Sequence, residues 1–450
     1  MNIEKIHIEN YKGIKSLDLE LHPRLNVFIG DNASGKTSLL QAIFKSCVSL
    51  TQRLTPPRLK DSSVINFSNS DVNNFSRFLQ INTTISILSK KLELFLVYGK
   101  YPEEIQKKIR NNNIDISNRF TTVISKKIKE TEFTIPMLKF YPANRGAITN
   151  SNSYSNNSIY QIPQLEAWAN VYQDEVSYPK FFTWFFEHET QELRLKRDSN
   201  DLNTQSPILK GVRKALNTFF FELQGKDYNI KSDQYKKTGT NVLIPSLVLE
   251  NRNDKNDKAF IDSKSDGEKA IIALVADIAY NLSIAHDFSE SENYLESKGI
   301  VIIDEIETHL HPTWQRKILE LLTAVFPGIQ FIVSTHSPQV LSSVKSESIF
   351  VSENFEFKNI GFKTKGLDSN SILKYIFDST DRPKYLIKKI EEFDNEIDNE
   401  TPSIEKLNQI ISEVKEYENE DSGRVTNDLS SELELRLEAY KFELENEEDL

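Results

Sequence analysis

At 450 residues the chain is longer than one typical core supports, so it divides into a main domain with substantial insertions or appendages. Hydrophobic residues at 38% and charged residues at 27% describe an ordinary soluble globular protein, and no run reaches the roughly 20 apolar residues of a membrane span. Residues 1–5 read as a charged strand rather than a secretory signal, and Cys47 is the only cysteine, which excludes disulfide and Cys-based zinc frameworks and makes a reducing cytoplasm the expected compartment.

The first fifty residues alternate in the manner of strands (Ile3, Ile6, Ile8; Leu17, Leu19, Leu21), reach an apolar strand at 25–29 and pass through a loop into an apolar helix. Alternating runs at 81–88 and 92–98 predict an antiparallel hairpin, hence a second, β-rich layer. The polar tract 150–158 predicts an exposed loop that separates this layer from the rest of the chain. Aromatic residues at helical spacing (Trp168, Phe181, Phe182, Trp184, Phe185, Phe186, Phe219 to Phe221) predict an inserted helical subdomain at 165–223, in which they form the core. A strand at 242–249 and a helix-strand-helix-strand succession over 265–351 complete a parallel sheet.

Beyond Leu367 the chain reads as helices with apolar stripes: Leu386, Ile390, Phe393, Ile397; Ile404, Leu407, Ile411, Val414; Leu429, Leu433, Leu437, Tyr440, Leu444. This tail also carries the acidity. Residues 383–450 hold 8 Lys and Arg against 21 Asp and Glu, a balance of −13, which leaves 47 against 45, or +2, for the rest of a chain whose net charge is −11. A near-neutral body has no electrostatic footprint for nucleic acid, although a local basic patch keeps DNA contact open. The stripes need partners, and two readings stand: each helix folds back on the main domain, or together they form a surface for neighbouring subunits or another protein. The expected organisation is 1–149, 150–227, 228–366 and 367–450.

Gly30-Asp31-Asn32-Ala33-Ser34-Gly35-Lys36-Thr37, with Ser38 next to it at the head of a helix, matches the phosphate-binding loop and lies between a strand and a helix, as that loop requires. Glycines let backbone N–H groups turn toward phosphates, Lys36 neutralises the β- and γ-phosphates, and Thr37 is placed to ligate Mg²⁺. The apolar run 300–303 delivers Asp304 and Glu305 at a strand's carboxyl end, Asp304 to hold the Mg²⁺ shell and Glu305 to orient or deprotonate the attacking water. A second apolar strand ends at Thr335 and brings His336 to the same edge, within reach of a γ-phosphate. Ser265, Gly267 and Glu268 stand at the start of a further helix, where a serine, a glycine and the helix N-terminus make an anion site.

In this order the motifs resemble the ABC superfamily, in the branch of SMC-like repair ATPases, RecF and OLD-type ATPases. The resemblance implies a P-loop NTPase of ABC type: an α/β head with an antiparallel β layer, a helical insertion and a C-terminal helical appendage. It also implies that Ser265, Gly267 and Glu268 of one subunit meet ATP held by another, so that the working unit is a homodimer or higher homo-oligomer hydrolysing ATP to ADP and phosphate. The signature departs from the transporter form, with Lys264 in place of leucine and Glu268-Lys269 after the glycine. Asp304-Glu305-Ile306-Glu307-Thr308-His309-Leu310-His311-Pro312-Thr313-Trp314-Gln315, with Tyr141-Pro142-Ala143-Asn144-Arg145 and the aromatic insertion, is similar to the ATPases of Septu antiphage systems (PtuA). That likeness implies an HNH nuclease partner (PtuB-like), a scaffolding and regulatory role, and nucleic acid met through the complex.

His309 and His311 also fit a metal pair, yet Pro312 as a helix start and the closeness to Glu305 favour a loop at the dimer interface. No Asp-x-Asp follows Thr335, as a Toprim nuclease would need, so nuclease activity is expected to come from another chain. An SMC/RecF-like repair ATPase, or the ATPase of another nuclease-coupled abortive infection system, is the alternative. A transporter motor is disfavoured by the altered signature.

Overall fold

The structure, a computed structural model, describes residues 1–54, 67–87, 90–116, 134–143, 166–169, 171, 176, 178–236, 239, 241–254, 256–286, 294–361, 363–367, 371–372, 384–399, 402–419 and 429–448. The polar tract 150–158, Asn144 and Arg145 lie outside them, as does the side chain of Leu444. The chain falls into two compact units, Met1–Ile372 and Leu373–Leu450.

Unit one is built on two sheets. β1 (Asn2–Tyr11), β2 (Ile14–Glu20), β4 (Phe78–Ile87) and β5 (Lys90–Gly99) form an antiparallel sheet in the order β2-β1-β4-β5, and α2 (Glu103–Ile116) packs on β5. The predicted hairpin forms from β4 and β5, with Ile81 opposite Leu96 and Ile85 opposite Leu92, while Leu88 lies outside the described residues. β3 (Leu25–Gly30), β6 (Met137–Tyr141), β10 (Gly299–Ile303), β11 (Ile329–Thr335), β12 (Ile349–Glu353) and β13 (Glu356–Asn359) form the second sheet, in the order β13-β12-β3-β11-β10-β6. Its strands run parallel except β13 at the edge. β6, β10 and β11 are buried at every residue, the pattern of strands covered on both faces. Between the two sheets runs α1 (Lys36–Leu54), which packs on β1 and β4 on one side and on β3 and β11 on the other. Leu39, Leu40, Ile43, Cys47 and Val48 are fully buried there, joined to both sheets in one core.

The aromatic segment is helical, but it does not fold as a separate unit. α3 (Glu166–Ala169), α4 (Tyr178–Ser199) and α5 (Pro207–Gln224) all pack on α6 (Asp266–Ala285), the helix that opens with Ser265 as its cap. Pro207 starts α5 where its missing N–H costs nothing, and Gly225, at φ 69°, ends it by donating to the Phe221 carbonyl. Trp184 meets Tyr280 of α6 edge-on at 5.0 Å, and Phe219 stacks on Trp314 at 5.9 Å. Trp168, Phe181, Trp184, Phe185, Phe219 and Phe220 are thus shared core, whereas Phe186 and Phe221, also expected there, face outward from their helices and are about half exposed. β7 (Tyr228–Lys236), β8 (Leu243–Asn251) and β9 (Lys258–Phe260) add a small antiparallel sheet, of which only β8 was legible in the sequence. Between β10 and β12 run α7 (Pro312–Gln315), α8 (Ile318–Val325) and, after β11, α9 (Pro338–Leu341).

Unit two consists of α10 (Lys384–Ile397), α11 (Ile404–Asn419) and α12 (Leu429–Glu448). Leu386, Phe393, Leu407, Ile411, Val414, Leu429, Leu433 and Leu437 share one buried cluster, with Ile390 and Ile397 packed against it. Most of each stripe is thus covered by the other two helices, with Ile404 left exposed, a mutual packing that neither sequence reading anticipated. Glu418 ties the end of α11 to the start of α12 by accepting from the Leu429 N–H at 2.7 Å and the Ser430 hydroxyl at 2.6 Å.

Candidate nucleotide site

The parallel register decides which residues meet. Ile29 stands opposite Thr335, Val333 opposite Ile303, and Ile303 opposite Tyr141, so the loops after β3, β11 and β10 leave the sheet at one carboxyl edge. This is the edge at which open α/β sheets bind ligands. It brings together 30–38, Asp304, Glu305 and His336.

The loop 30–37 wraps around the Lys36 ammonium, which donates to the Gly30 carbonyl at 2.8 Å, the Asp31 carbonyl at 2.7 Å and Ser34 Oγ at 3.2 Å. Ala33 adopts φ 63° and Gly35 φ 105°, which turns the chain back on itself. Asn32 and Ala33 are exposed at its tip, Thr37 is exposed in the first turn of α1, and Ser38 is half-buried behind it. Burial pushes the Lys36 ammonium below its ordinary value, while the charges of Asp304, Glu307, Asp31 and Glu305 pull it back up.

Thr37 Oγ1 donates to Asp304 Oδ2 at 2.9 Å, across 267 residues of sequence. Asp304 is buried, accepts at Oδ1 from the Ser334 hydroxyl, and donates its N–H to the Tyr141 carbonyl at 2.8 Å. A hydroxyl and a carboxylate side by side form a hard oxygen pair suited to Mg²⁺. Glu305 takes the left-handed conformation, φ 51°, with its N–H on Ser334 Oγ at 2.8 Å and its Oε2 accepting from Thr308 at 3.3 Å. The turn after β10 is stitched to the turn after β11: the Ile306 N–H donates to the Ser334 carbonyl, the His336 N–H to Glu307 Oε1, and the Ser337 hydroxyl to Gln315 Oε1.

Two supports had no such role legible in the sequence, although Tyr141 stood out there as part of the run 141–145. One is the β12–β13 turn, where Ser352 Oγ and the Phe355 N–H both donate to the Ser34 carbonyl, at 2.8 and 3.1 Å. The Phe355 ring fills the space over two glycines: a Cβ would lie 2.2 Å from it at Gly13 and 2.6 Å at Gly35. The other is Tyr141, whose hydroxyl donates to Asp277 Oδ2 of α6 at 2.6 Å while its carbonyl holds Asp304. The fully buried Lys139 lies 3.9 Å from the same carboxylate. Long-range tertiary contacts of this kind leave no local pattern to read.

Ser265, Gly267 and Glu268 sit elsewhere. Ser265 and Glu268 form a reciprocal capping box, and Lys264 pairs with Glu268 at 3.2 Å. A Cβ at Gly267 would stand 2.2 Å from the His309 carbonyl, so only glycine lets α6 approach the turn after Glu305 this closely. Among the described residues, these three make no hydrogen bond to the phosphate loop of their own chain. His311 caps α7 by accepting from the Thr313 N–H. No group of three or more His, Cys, Asp or Glu side chains among the described residues is placed to hold a metal ion by itself.

The retron Ec83 probable ATPase of Escherichia coli is 24% identical over 489 residues, covering 98% of this chain and 88% of that protein. The retron Vc95 probable ATPase of Vibrio cholerae serotype O1 biovar El Tor is 26% identical, covering 84% and 78%. The Septu protein PtuA of Bacillus thuringiensis is 21% identical, covering 88% and 90%. The family model described as "AAA domain, putative AbiEii toxin, Type IV TA system" matches residues 25–342, a span that runs from β3 through the turn bearing His336. With more than half of its length inside that model, the chain belongs to the AAA_21 family of AAA-domain proteins.

Proposed function

We infer that the chain binds ATP with Mg²⁺ at the loop 30–38 and hydrolyses it to ADP and phosphate, as the ATPase subunit of a Septu-like antiphage complex. The observation that carries this reading is the 2.9 Å bond between Thr37 and Asp304, which joins the phosphate loop to the acidic strand end at one sheet edge. Lys36 and the backbone N–H groups of 33–37 bind the phosphates, with Gly30, Asn32, Ala33, Ser34, Gly35 and Ser38 shaping the cradle. Thr37 and Asp304 would hold Mg²⁺, which when bound neutralises phosphate oxygens. Glu305, set by its left-handed backbone and by Ser334, orients the attacking water and takes its proton, and His336 hydrogen-bonds the γ-phosphate. Ser265, Gly267 and Glu268 act on the nucleotide of a second copy, so hydrolysis requires a homodimer.

The full-length coverage of PtuA and of the retron ATPases supports a role in defence, in which this subunit scaffolds and controls a separate HNH nuclease. Lys36→Ala removes the main positive charge facing the phosphates. It is expected to lower the affinity for a fluorescent ATP analogue by at least about 100-fold, with the circular dichroism spectrum unchanged. Ordinary affinity in that variant would refute the site.

A further inference from the structure

The helical segment carries a second concave site that none of the roles above uses. α4, α5, β7 and the residue after β8 border a cleft of about 480 Å³, within the range of about 300 to 1,000 Å³ that small ligands occupy. Among the described residues, six cations line it: Lys196, Lys210, Arg213, Lys214, Lys231 and Arg252. Only two carboxylates do, Glu189 and Glu192, and both are buried.

These two acids are satisfied within the fold. Glu192 accepts from Arg213 Nη1 at 2.9 and 3.0 Å, from the Ser206 N–H at 2.8 Å and from Lys196 at 3.2 Å. Glu189 accepts from Arg213 Nη2 and from the Ser232 N–H, both at 2.8 Å. All four carboxylate oxygens therefore have donors. Lys210 and Lys214 stand exposed, one turn apart on the α5 face that also bears Arg213 and Asn217. Lys231 reaches Glu250 at 3.0 Å and Arg252 reaches Asp227 at 3.5 Å, two acids that do not line the cleft. With these included, six cations face four carboxylates, a balance of +2 in a chain whose net charge is −11. Like charges gathered on facing walls repel one another, a cost that a bound anion offsets. Leu193 lines the same cleft with 60% of its surface exposed, which sets an apolar face beside the cations.

We propose that this cleft binds a phosphate monoester carried on a small organic body. Such a group carries about −1.5 to −2 charges at pH 7, which answers the +2 balance, and its terminal oxygens accept from ammonium groups on more than one wall. The organic body then covers Leu193. A simple carboxylate brings only one charge, and a nucleic-acid backbone spreads single charges along an extended strand, for which a cleft walled by two helices and a sheet offers no track. The proposal is independent of the ATP reading of the loop 30–38.

The test titrates the full-length protein calorimetrically with phenyl phosphate, and with benzoate as the singly charged control. Parent, Lys36→Ala and the double variant Lys210→Glu/Lys214→Glu are compared, with melting temperature and affinity for the ATP analogue followed alongside. Phenyl phosphate is expected to bind the parent saturably and more tightly than benzoate, and to bind Lys36→Ala as it binds the parent. The double reversal should weaken it by at least about tenfold, as loss of charge-assisted hydrogen bonds does, and leave affinity for the ATP analogue unchanged. Lys210→Gln/Lys214→Gln removes the charges without reversing them and should weaken binding in the same direction, which keeps the test decisive where the reversal lowers the melting temperature. No saturable binding to the parent, or binding lost in Lys36→Ala and kept in both double variants, would overturn the proposal. A fluorescent single-stranded oligonucleotide that binds the parent, and is released by the double reversal while phenyl phosphate fails to bind, would replace the small ligand with a nucleic-acid contact.

Discussion

Phe355 shows how much a phosphate loop depends on a residue far from it in sequence. The turn that carries it has two non-glycine residues in the left-handed region, Asn354 at φ 48° and Phe355 at φ 66°, a conformation that costs about 1 to 3 kcal/mol per residue. That cost sets the aromatic ring against Gly13 and Gly35 and the Phe355 N–H on the Ser34 carbonyl. Phe355→Ala keeps the N–H and removes the ring, so the loop retains its bonds and loses its lid. Nucleotide affinity is expected to fall by about tenfold, with a melting temperature lowered by a few degrees, since the half-buried ring contributes less than the roughly 3 to 5 kcal/mol of a core phenylalanine. Equal affinity in a titration of the ATP analogue would show that Ser352 alone supports the loop.

Among elements, the three C-terminal helices show what an apolar stripe leaves open. Their stripes were legible in sequence because i, i+3 and i+4 spacing is a local pattern, but a stripe does not say what covers it. In the structure α10, α11 and α12 cover one another, and ion pairs such as Lys389 to Glu413 at 2.6 Å lie around that core. Exposed pairs there, such as Lys415 to Glu434 at 3.3 Å, contribute little. The buried leucines contribute more: Leu433, with no exposed surface, sits at the centre of this core, and Leu433→Ala is expected to cost about 2 to 5 kcal/mol within this unit. Limited proteolysis should then cut within 373–450 while binding of the ATP analogue stays unchanged. A variant as resistant as the parent would mean that the leucine core is not what holds the unit. The leucine core is closed to a partner that meets this unit as folded, which finds acidic side chains together with the exposed Leu435, Ile404, Tyr385 and Tyr417.

For the whole molecule, the proposed function turns on whether ATP brings two copies of the chain together. Glu305→Gln leaves Lys36, Thr37 and Asp304 in place, so ATP binding is expected to persist. Hydrolysis should fall by about 100-fold or more, as loss of a general base does. Chains that cannot hydrolyse should accumulate as dimers with ATP and Mg²⁺, visible by size-exclusion chromatography with light scattering, whereas Lys36→Ala should not respond to ATP. Dimers that form equally without nucleotide would detach assembly from the ATP site. No described helix is long and apolar enough to cross a membrane.

By itself the sequence determined the 30–37 run between a strand and a helix, the paired acids at the end of β10 and the parallel sheet that carries them, because each is a contiguous run whose chemistry and periodicity are local. The 30–37 pattern between a strand and a helix needs no partner to be recognised, and neither do four apolar residues followed by Asp304 and Glu305. Only the tertiary structure decided what holds these residues in place. Ser334 under Asp304 and Glu305, Ser352 and Phe355 on Ser34, and Tyr141 between Asp304 and Asp277 are contacts across tens to hundreds of residues. The same holds for β7, where half-exposed residues alternate too weakly to announce a strand until β8 pairs with it. Glu307 falls in this second class: in sequence it is one more acid in an acidic turn, and only the neighbouring strand's His336 N–H shows which way its carboxylate is held. Periodicity fixes which face of an element is apolar, whereas the partner of that face depends on long-range packing, which a linear pattern does not encode.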